Sequence, residues 1–324
     1  MTFSGKYTFS IGIPAYKGMF LSECIKSILT QKYTNFELII IDDFSPDRLE
    51  TTINQFRDDR IRYYRNSQNI GGKNVINNWN KCLEKASGEF FILMGDDDMM
   101  EPDYLEEFEK LIKKYPDLNV YHCRSQIINE KSETITFTPS WPEFETLYDN
   151  IWHRINNGKR DQFISDFVYR TKFLKMNGGF VNLPLAWGAD DITAYVACGT
   201  KGIAHTNKPI FKYRKNSLSI TSTGNPEMKM RAIDLEQKWF EDFLLKQPEC
   251  NYDYILYKDI NRKVHQHIRR KKLQVISLSL KSDFWKNAGR WIYSSRKYNI
   301  SVVNILYAML IRVVHDSNLL RNHT

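Results

Sequence analysis

The chain has 324 residues, of which 42% are hydrophobic, 14% aromatic and 26% charged; this excludes wholesale disorder and leaves room for one large domain or two modest ones. The 46 Lys and Arg against 38 Asp and Glu leave a net +8, unevenly spread: from Lys258 to Thr324 fourteen bases face three acids, a local +11, so residues 1–257 carry −3. The scattered cysteines (Cys24, Cys82, Cys123, Cys198, Cys250) form no CxxC pair and no zinc spacing with histidine, and no apolar run reaches the ~20 residues of a membrane span, so a cytoplasmic chain, peripheral on the inner face of the cell membrane, is expected.

Short β-branched and aromatic runs at Thr8–Ile13, Phe36–Ile41, Ile61–Tyr64, Glu89–Met94 and Asn119–Ile128 predict strands. Between them Leu21, Ile25, Ile28 and Leu29 recur at helical spacing behind Ser22, a candidate N-cap. Trp79, Leu83 and Ala86 repeat the pattern, and Pro102 opens a third helix through Leu105, Phe108 and Ile112. This alternation predicts an α/β fold with a doubly wound, mostly parallel sheet flanked by helices. From Thr138 to Leu185 the periodicity weakens, as expected of a substrate-facing segment. After Lys208 the chain reads as mostly helical, with Met228–Leu245, Tyr252–Leu280 and Ser301–Val314 as candidates. The expected organisation is residues 1–225 as one domain, divided into halves 1–130 and 131–225, followed by a helical basic extension over 226–324.

In a doubly wound sheet, ligands bind beyond the carboxyl ends of the strands. Strand one ends in Ile13-Pro14-Ala15-Tyr16, strand two in Asp42-Asp43-Phe44-Ser45, and strand four in Gly95-Asp96-Asp97-Asp98. Acids after strand two also suit a solvated turn, and acids before Pro102 also suit a helix N-terminus. Three successive acids behind an apolar strand are better explained by a hard divalent cation, since Mg²⁺ uses one or two carboxylates plus substrate phosphates.

These segments, in order with Gln31-Lys32-Tyr33, Asn69-Ile70-Gly71-Gly72 and Ala86-Ser87-Gly88-Glu89, resemble the nucleotide-sugar half of a family 2 glycosyltransferase of the GT-A fold, over about 100 residues and more loosely to about residue 222. The resemblance implies that Pro14, Ala15 and Tyr16 flank the base of the donor and that Asp43 hydrogen-bonds it, most often as uracil. It implies Asp96 at the ribose and diphosphate, and Asp97 with Asp98 at Mn²⁺ or Mg²⁺. Gly95 departs from the pattern, because many members carry an acid there, and either Asp96/Asp97 or Asp96/Asp98 is then the working pair.

Leu183 to Asp191 resembles the acceptor segment of the family, in which Asp191 aligns with the general base and Asp190 stands beside it; a carboxylate within reach of an attacking hydroxyl suits that step. Helix capping is the plainer alternative for the pair. Tyr213-Arg214-Lys215-Asn216 with Ser219-Ile220-Thr221 resembles the element that closes over the donor phosphates, so Arg214 or Lys215 would neutralise diphosphate, while Asn216 replaces a frequent histidine. The implied activity is inverting, metal-dependent transfer of a sugar, most simply from a UDP-sugar, to a hydroxyl of a saccharide or lipid-linked saccharide in polysaccharide, lipopolysaccharide or capsule assembly. The alternative is a catalytically silent, nucleotide-binding scaffold of a membrane-associated assembly.

No GxGxxG follows strand one, and Gly71-Gly72-Lys73 lacks phosphate-loop spacing. His205 reads as structural, and His265 with His267 cannot share a helix face. Arg269-Arg270-Lys271-Lys272, followed by Leu273 to Leu280 and by Trp285, Trp291 and Tyr293 among Lys286, Arg290, Arg296 and Lys297, suits an anionic membrane surface. No nucleic-acid partner is expected.

Overall fold

The run Phe-Ser-Ile-Gly-Ile-Pro-Ala forms β1 (Phe9–Ala15), buried along nearly its whole length, as expected of a strand covered on both faces. The computed structural model describes residues 5–71, 74–157, 160–216, 224–281 and 283–310, and it divides into two compact units on either side of Gly224.

In the first unit β1 pairs in parallel with β2 (Phe36–Asp42) and β4 (Phe90–Leu93), and β2 pairs in parallel with β3 (Ile61–Arg65). Helices α1 (Leu21–Leu29), α2 (Leu49–Ile53) and α3 (Val75–Lys85) connect them. The spatial order β3-β2-β1-β4 means that the chain leaves β1 in opposite directions, toward β2 and toward β4. That reversal opens a crevice at the carboxyl ends of β1 and β4. Gly12 in β1 serves close packing: a Cβ there would lie 2.6 Å from Cys82 Cβ on α3.

The sheet continues through β5 (Met99–Met100), β6 (Val120–Ile128), β7 (Thr134–Phe137), β8 (Phe144–Glu145), β9 (Phe167–Arg170) and β10 (Ile203–Arg214). β9 lies antiparallel between β4 and β6, and β10 is parallel to β6. The segment from Thr138 to Leu185 is therefore more ordered than its weak periodicity suggests, for it also contains α5 (Leu147–Asn157) and α6 (Thr171–Met176). Among the described residues, the mostly helical stretch expected after Lys208 begins only at Pro226. β10 runs on to Arg214 because Phe211, Lys212 and Tyr213 pair with Ser125, Gln126 and Ile127, a long-range partnership that local pattern does not encode.

α4 (Tyr104–Lys114) starts two residues after Pro102, while Ser22 lies inside α1, whose N-cap position is Phe20. The helix that carries Asp190 and Asp191, α7 (Ala189–Cys198), begins behind Gly188, whose φ of 82° is in the left-handed region.

The second unit contains α8 (Pro226–Phe243), α9 (Asn251–Ser279), α10 (Phe284–Tyr293) and α11 (residues 302–310); the expected continuation of α11 to Val314 lies outside the described residues. α8 and α9 meet through buried charge: Glu236, 2% exposed, accepts from Lys271 at 2.5 Å and lies 3.6 Å from His267. Among the described residues no helix is long and apolar enough to cross a membrane.

Candidate active site

Three strand ends converge at the crevice. The backbone N–H groups of Tyr16 and Lys17, just past β1, donate to Asp96 Oδ2 at 2.8 and 2.9 Å. Asp43 N donates to Ala15 O at 2.9 Å, and Ser45 Oγ donates to Tyr16 O at 2.5 Å. The expected base-flanking residues Pro14, Ala15 and Tyr16 thus form one wall with Asp43 and Asp96. Tyr16 and Phe44 remain 44% and 48% exposed, two aromatic faces at the mouth of the site.

Asp42 is fully buried; it accepts from Tyr63 Oη at 2.8 Å and from Ser45 N at 2.7 Å, which makes it the structural member of its pair. Asp43 is 6% exposed. Its Oδ1 accepts from Asn66 Nδ2 and Ile70 N at 2.8 and 2.9 Å, and its Oδ2 from Gly71 N at 3.1 Å. It therefore organises the loop after β3, and only Oδ2 retains a lone pair for a base. A cavity of about 470 Å³ beside it is lined by Asn66, Asn69, Asn74, Asn77 and Lys81 among others. The Asn69-Ile70-Gly71-Gly72 segment continues into Gly72 and Lys73, which lie outside the described residues.

The acid triplet divides by environment. Asp96 and Asp97 are half-buried, whereas Asp98 is 5% exposed and accepts from Arg214 N at 2.8 Å. Burial, followed by the charge of Asp97, pushes the Asp96 carboxyl up to about 6, and the same two causes hold Asp98 well above the usual carboxylate range. Asn216 Nδ2 donates to Asp97 Oδ2 at 2.6 Å, so the asparagine standing for a frequent histidine orients this acid. Gly95 has a steric reason: a Cβ there would lie 2.5 Å from Asp98 Oδ2 and 3.2 Å from Asp97 Oδ1, leaving no room for an acid at that position.

Arg214 corrects an expectation. Its side chain is fully buried: Nε donates to Asp97 O at 2.7 Å, Nη1 to Ser132 Oγ at 2.9 Å and to two carbonyls at 3.3 Å, and Nη2 to Glu23 Oε2 at 2.9 Å. The guanidinium also stacks 4.2 Å over Phe20. With its donors consumed, Arg214 braces the acidic loop rather than standing open to a phosphate. Lys215 is exposed; Ser219, Ile220 and Thr221 lie outside the described residues.

Asp190 and Asp191 occupy the first turn of α7. Asp190 is half-buried, whereas Asp191 is 2% exposed. Asp191 accepts from Arg154 Nε and Nη2 at 3.1–3.3 Å and closely from Gln162 Nε2. The preceding loop is strained, with Leu185 and Ala186 at φ of 58° and 54°, a conformation that non-glycine residues seldom hold outside functional loops. Phe44, next to Asp43, has φ 55°.

These strand ends fall within a region that matches a known family. The profile of Glycosyl transferase family 2 matches residues 10–176, which include β1, the acid triplet and the sheet as far as β9. The chain belongs to glycosyl transferase family 2. It is 36% identical over 92 residues to GalNAc(5)-diNAcBac-PP-undecaprenol beta-1,3-glucosyltransferase of Campylobacter jejuni, covering 28% of this chain and 29% of that one. Among solved structures it resembles S. aureus TarS 1-349 in complex with UDP-GlcNAc, with TM-score 0.64, 15% identity, and 96% of this chain and 92% of that one covered. It also resembles the mannosyltransferase PcManGT from Pyrobaculum calidifontis in complex with GDP-Man and Mn²⁺, with TM-score 0.55, 13% identity, and 96% and 88% covered. At such identities the structural likeness concerns the fold, and it extends over both units of this family 2 chain. The chain spans about two-fifths of the length of the first curated relatives it matches.

Sequence reasoning missed Asn66, Glu23, Arg154 and Gln162. Asn66 directly follows β3, so the strand-end rule that found Asp43 also reaches it. Arg154 and Gln162 lie in the segment with weak periodicity and carried no signal.

Proposed function

We propose that the chain is an inverting, metal-dependent glycosyltransferase moving one sugar from a nucleotide diphosphate, most simply a UDP-sugar, to a hydroxyl of a saccharide or lipid-linked saccharide in cell-surface polysaccharide synthesis. The observation that carries the reading is the joining of β1 to β4 through Asp96, which holds the N–H groups of Tyr16 and Lys17 beside two further acids. Tyr16 and Asp43 would receive the base, Asp96 the ribose and diphosphate side, and Lys215 the departing phosphate charge.

Among the described residues no three His, Cys, Asp or Glu side chains are grouped to hold a metal by themselves. Two clustered carboxylates nonetheless fit Mn²⁺ or Mg²⁺, whose remaining ligands come from donor phosphates, and neighbouring acids with raised pKa values gain from a cation beside them. Asp97, the more open acid, and Asp98 would hold the ion, which when bound supplies Lewis-acid stabilisation of diphosphate. The relatives' names support a nucleotide donor and, through the undecaprenol-linked case, a lipid-linked acceptor.

The acceptor proton would go to the Asp190–Asp191 pair. Asp191 is the acid aligned with the base; Arg154 and Gln162 hold it, and Asp190 is the more open neighbour. The second unit would place this chemistry at an anionic membrane surface. The reading is tested with Asp97→Ala, expected to abolish metal-dependent donor hydrolysis and transfer, and with Asp191→Asn, expected to abolish transfer while calorimetric UDP binding persists. Normal turnover by Asp191→Asn would overturn the base assignment.

A further inference from the structure

The basic quartet of α9 is only partly available to a surface. Lys272, 5% exposed, donates to Tyr298 O at 2.9 Å and pairs with Asp234 at 2.7 Å, and Lys271 pairs with Glu236 at 2.5 Å. Half of the sequence feature that pointed to an anionic surface is therefore internal scaffolding of the second unit.

The outward apolar surface lies further on. On α10 the side chains of Trp285, Ile292 and Tyr293 are 84%, 41% and 91% exposed, whereas Trp291 on the opposite face is buried and donates from Nε1 to Ser279 Oγ at 2.7 Å. At ~100° per residue, Ile292, Trp285, Gly289 and Tyr293 form one stripe whose border is Lys286 and Arg290. Nothing lies within 4 Å of a Cβ placed at Gly289, so the centre of the stripe is open. On α11, Val302, Val303, Leu306, Tyr307 and Leu310 are all exposed, and at the same spacing they fill a continuous arc of about 140° without a single charge. The inner face of α11 is Ile305 and Ala308, both buried.

A wholly apolar outer face on a short helix is costly in water. The charges beside it indicate what covers it: from residue 281 to 310 the sequence holds Lys281, Lys286, Arg290, Arg296 and Lys297 against Asp283 alone. A second copy would bring the same excess of positive charge against itself, whereas an anionic bilayer supplies both hydrocarbon for the apolar arcs and negative headgroups for their rim. Trp and Tyr at the edges suit the headgroup level.

We propose that the outer faces of α10 and α11, and not the basic quartet of α9, insert into the interface of an anionic lipid bilayer. This rests on the membrane placement proposed above but not on the transfer reaction. The test is co-flotation of the full chain with vesicles of phosphatidylcholine containing about one third phosphatidylglycerol, and with phosphatidylcholine alone. The chain is expected to partition onto the anionic vesicles. Trp285→Ser with Ile292→Ser, and separately Leu306→Ser with Leu310→Ser, are expected to lower the partition coefficient about tenfold or more. Leu245→Ser with Tyr252→Ser, removing exposed apolar groups elsewhere in the unit, is expected to leave it unchanged.

An independent readout needs no destabilising change: anionic vesicles should shift the tryptophan emission of the native chain to the blue, and Trp285→Phe should remove part of that shift. Equal flotation of all variants, absence of flotation by the native chain, or a dimer in light scattering that the α10 and α11 variants split would each overturn the proposal. Transfer to a soluble acceptor, measured on the same variants, separates its failure from failure of the transferase reading.

Discussion

Replacing Arg214 by lysine separates two roles for one residue. If the guanidinium braces the acidic loop, lysine keeps the charge but loses the planar fork. One ammonium cannot reach Asp97 O, Ser132 Oγ and the carbonyls of residues 129 and 130 together, which Arg214 contacts at 2.7–3.3 Å. The Glu23 end of the network is 47% exposed and contributes little. Losing two buried hydrogen bonds from a charged donor, at about 1.5–3 kcal/mol each, and regaining one imperfectly, gives a net loss of about 3 kcal/mol. Urea unfolding without ligand measures this directly, as a lower midpoint at unchanged slope. UDP affinity in Mn²⁺, measured by calorimetry on the folded variant, should fall less than expected for a lost phosphate contact. An unliganded stability within about 0.5 kcal/mol of the native chain, together with a tenfold or greater loss of UDP affinity, would refute the bracing role and restore Arg214 to the phosphates.

Other consequences concern packing around the same sheet. Gly95→Ala forces a methyl to within 2.5 Å of Asp98 Oδ2, so it should displace the acid and weaken UDP–Mn²⁺ binding by about tenfold, or ~1.4 kcal/mol, read by calorimetry. His205 is 2% exposed beside Glu145, and burial outweighs that carboxylate to lower the histidine to about 4 from 6.5. Because the unfolded chain takes up this proton first, stability is lost as pH falls from 6.5 toward 4, by about 2 kcal/mol between pH 7 and pH 5. Urea midpoints of the native chain and of His205→Gln at the two pH values isolate that share, and an identical pH dependence of the two would exclude it.

The Glu145 cluster also illustrates what lay beyond the reach of the primary structure. His205 on β10, Arg160 and Glu145 are far apart in the sequence, yet burial of Glu145 is offset by His205 and Arg160, which together hold its carboxyl at about 2. The Nε2 of His205 lies 3.1 Å from Glu145 Oε2, a contact that only the fold creates.

The sequence by itself determined the parallel half of the sheet. β1, β2, β4 and β6 are apolar-rich runs buried along nearly their whole length, β3 is a half-buried edge strand, and the acids that end β2 and follow β4 are legible because strand ends are where such sheets bind ligands. Strand β9, antiparallel to its neighbours, and strand β10 were not legible, since each is held by partners more than 40 residues away and its local pattern is ambiguous. Tertiary structure alone decided how the identified residues divide their work. Asp43 spends most of its carboxylate on a loop, Arg214 is buried as a brace, Asp191 is the inner acid of its pair, and Lys271 and Lys272 turn into their own unit. The physical reason is the same in each case: residue type sets what a side chain can donate or accept, but only the folded neighbours determine which of those capacities are already used.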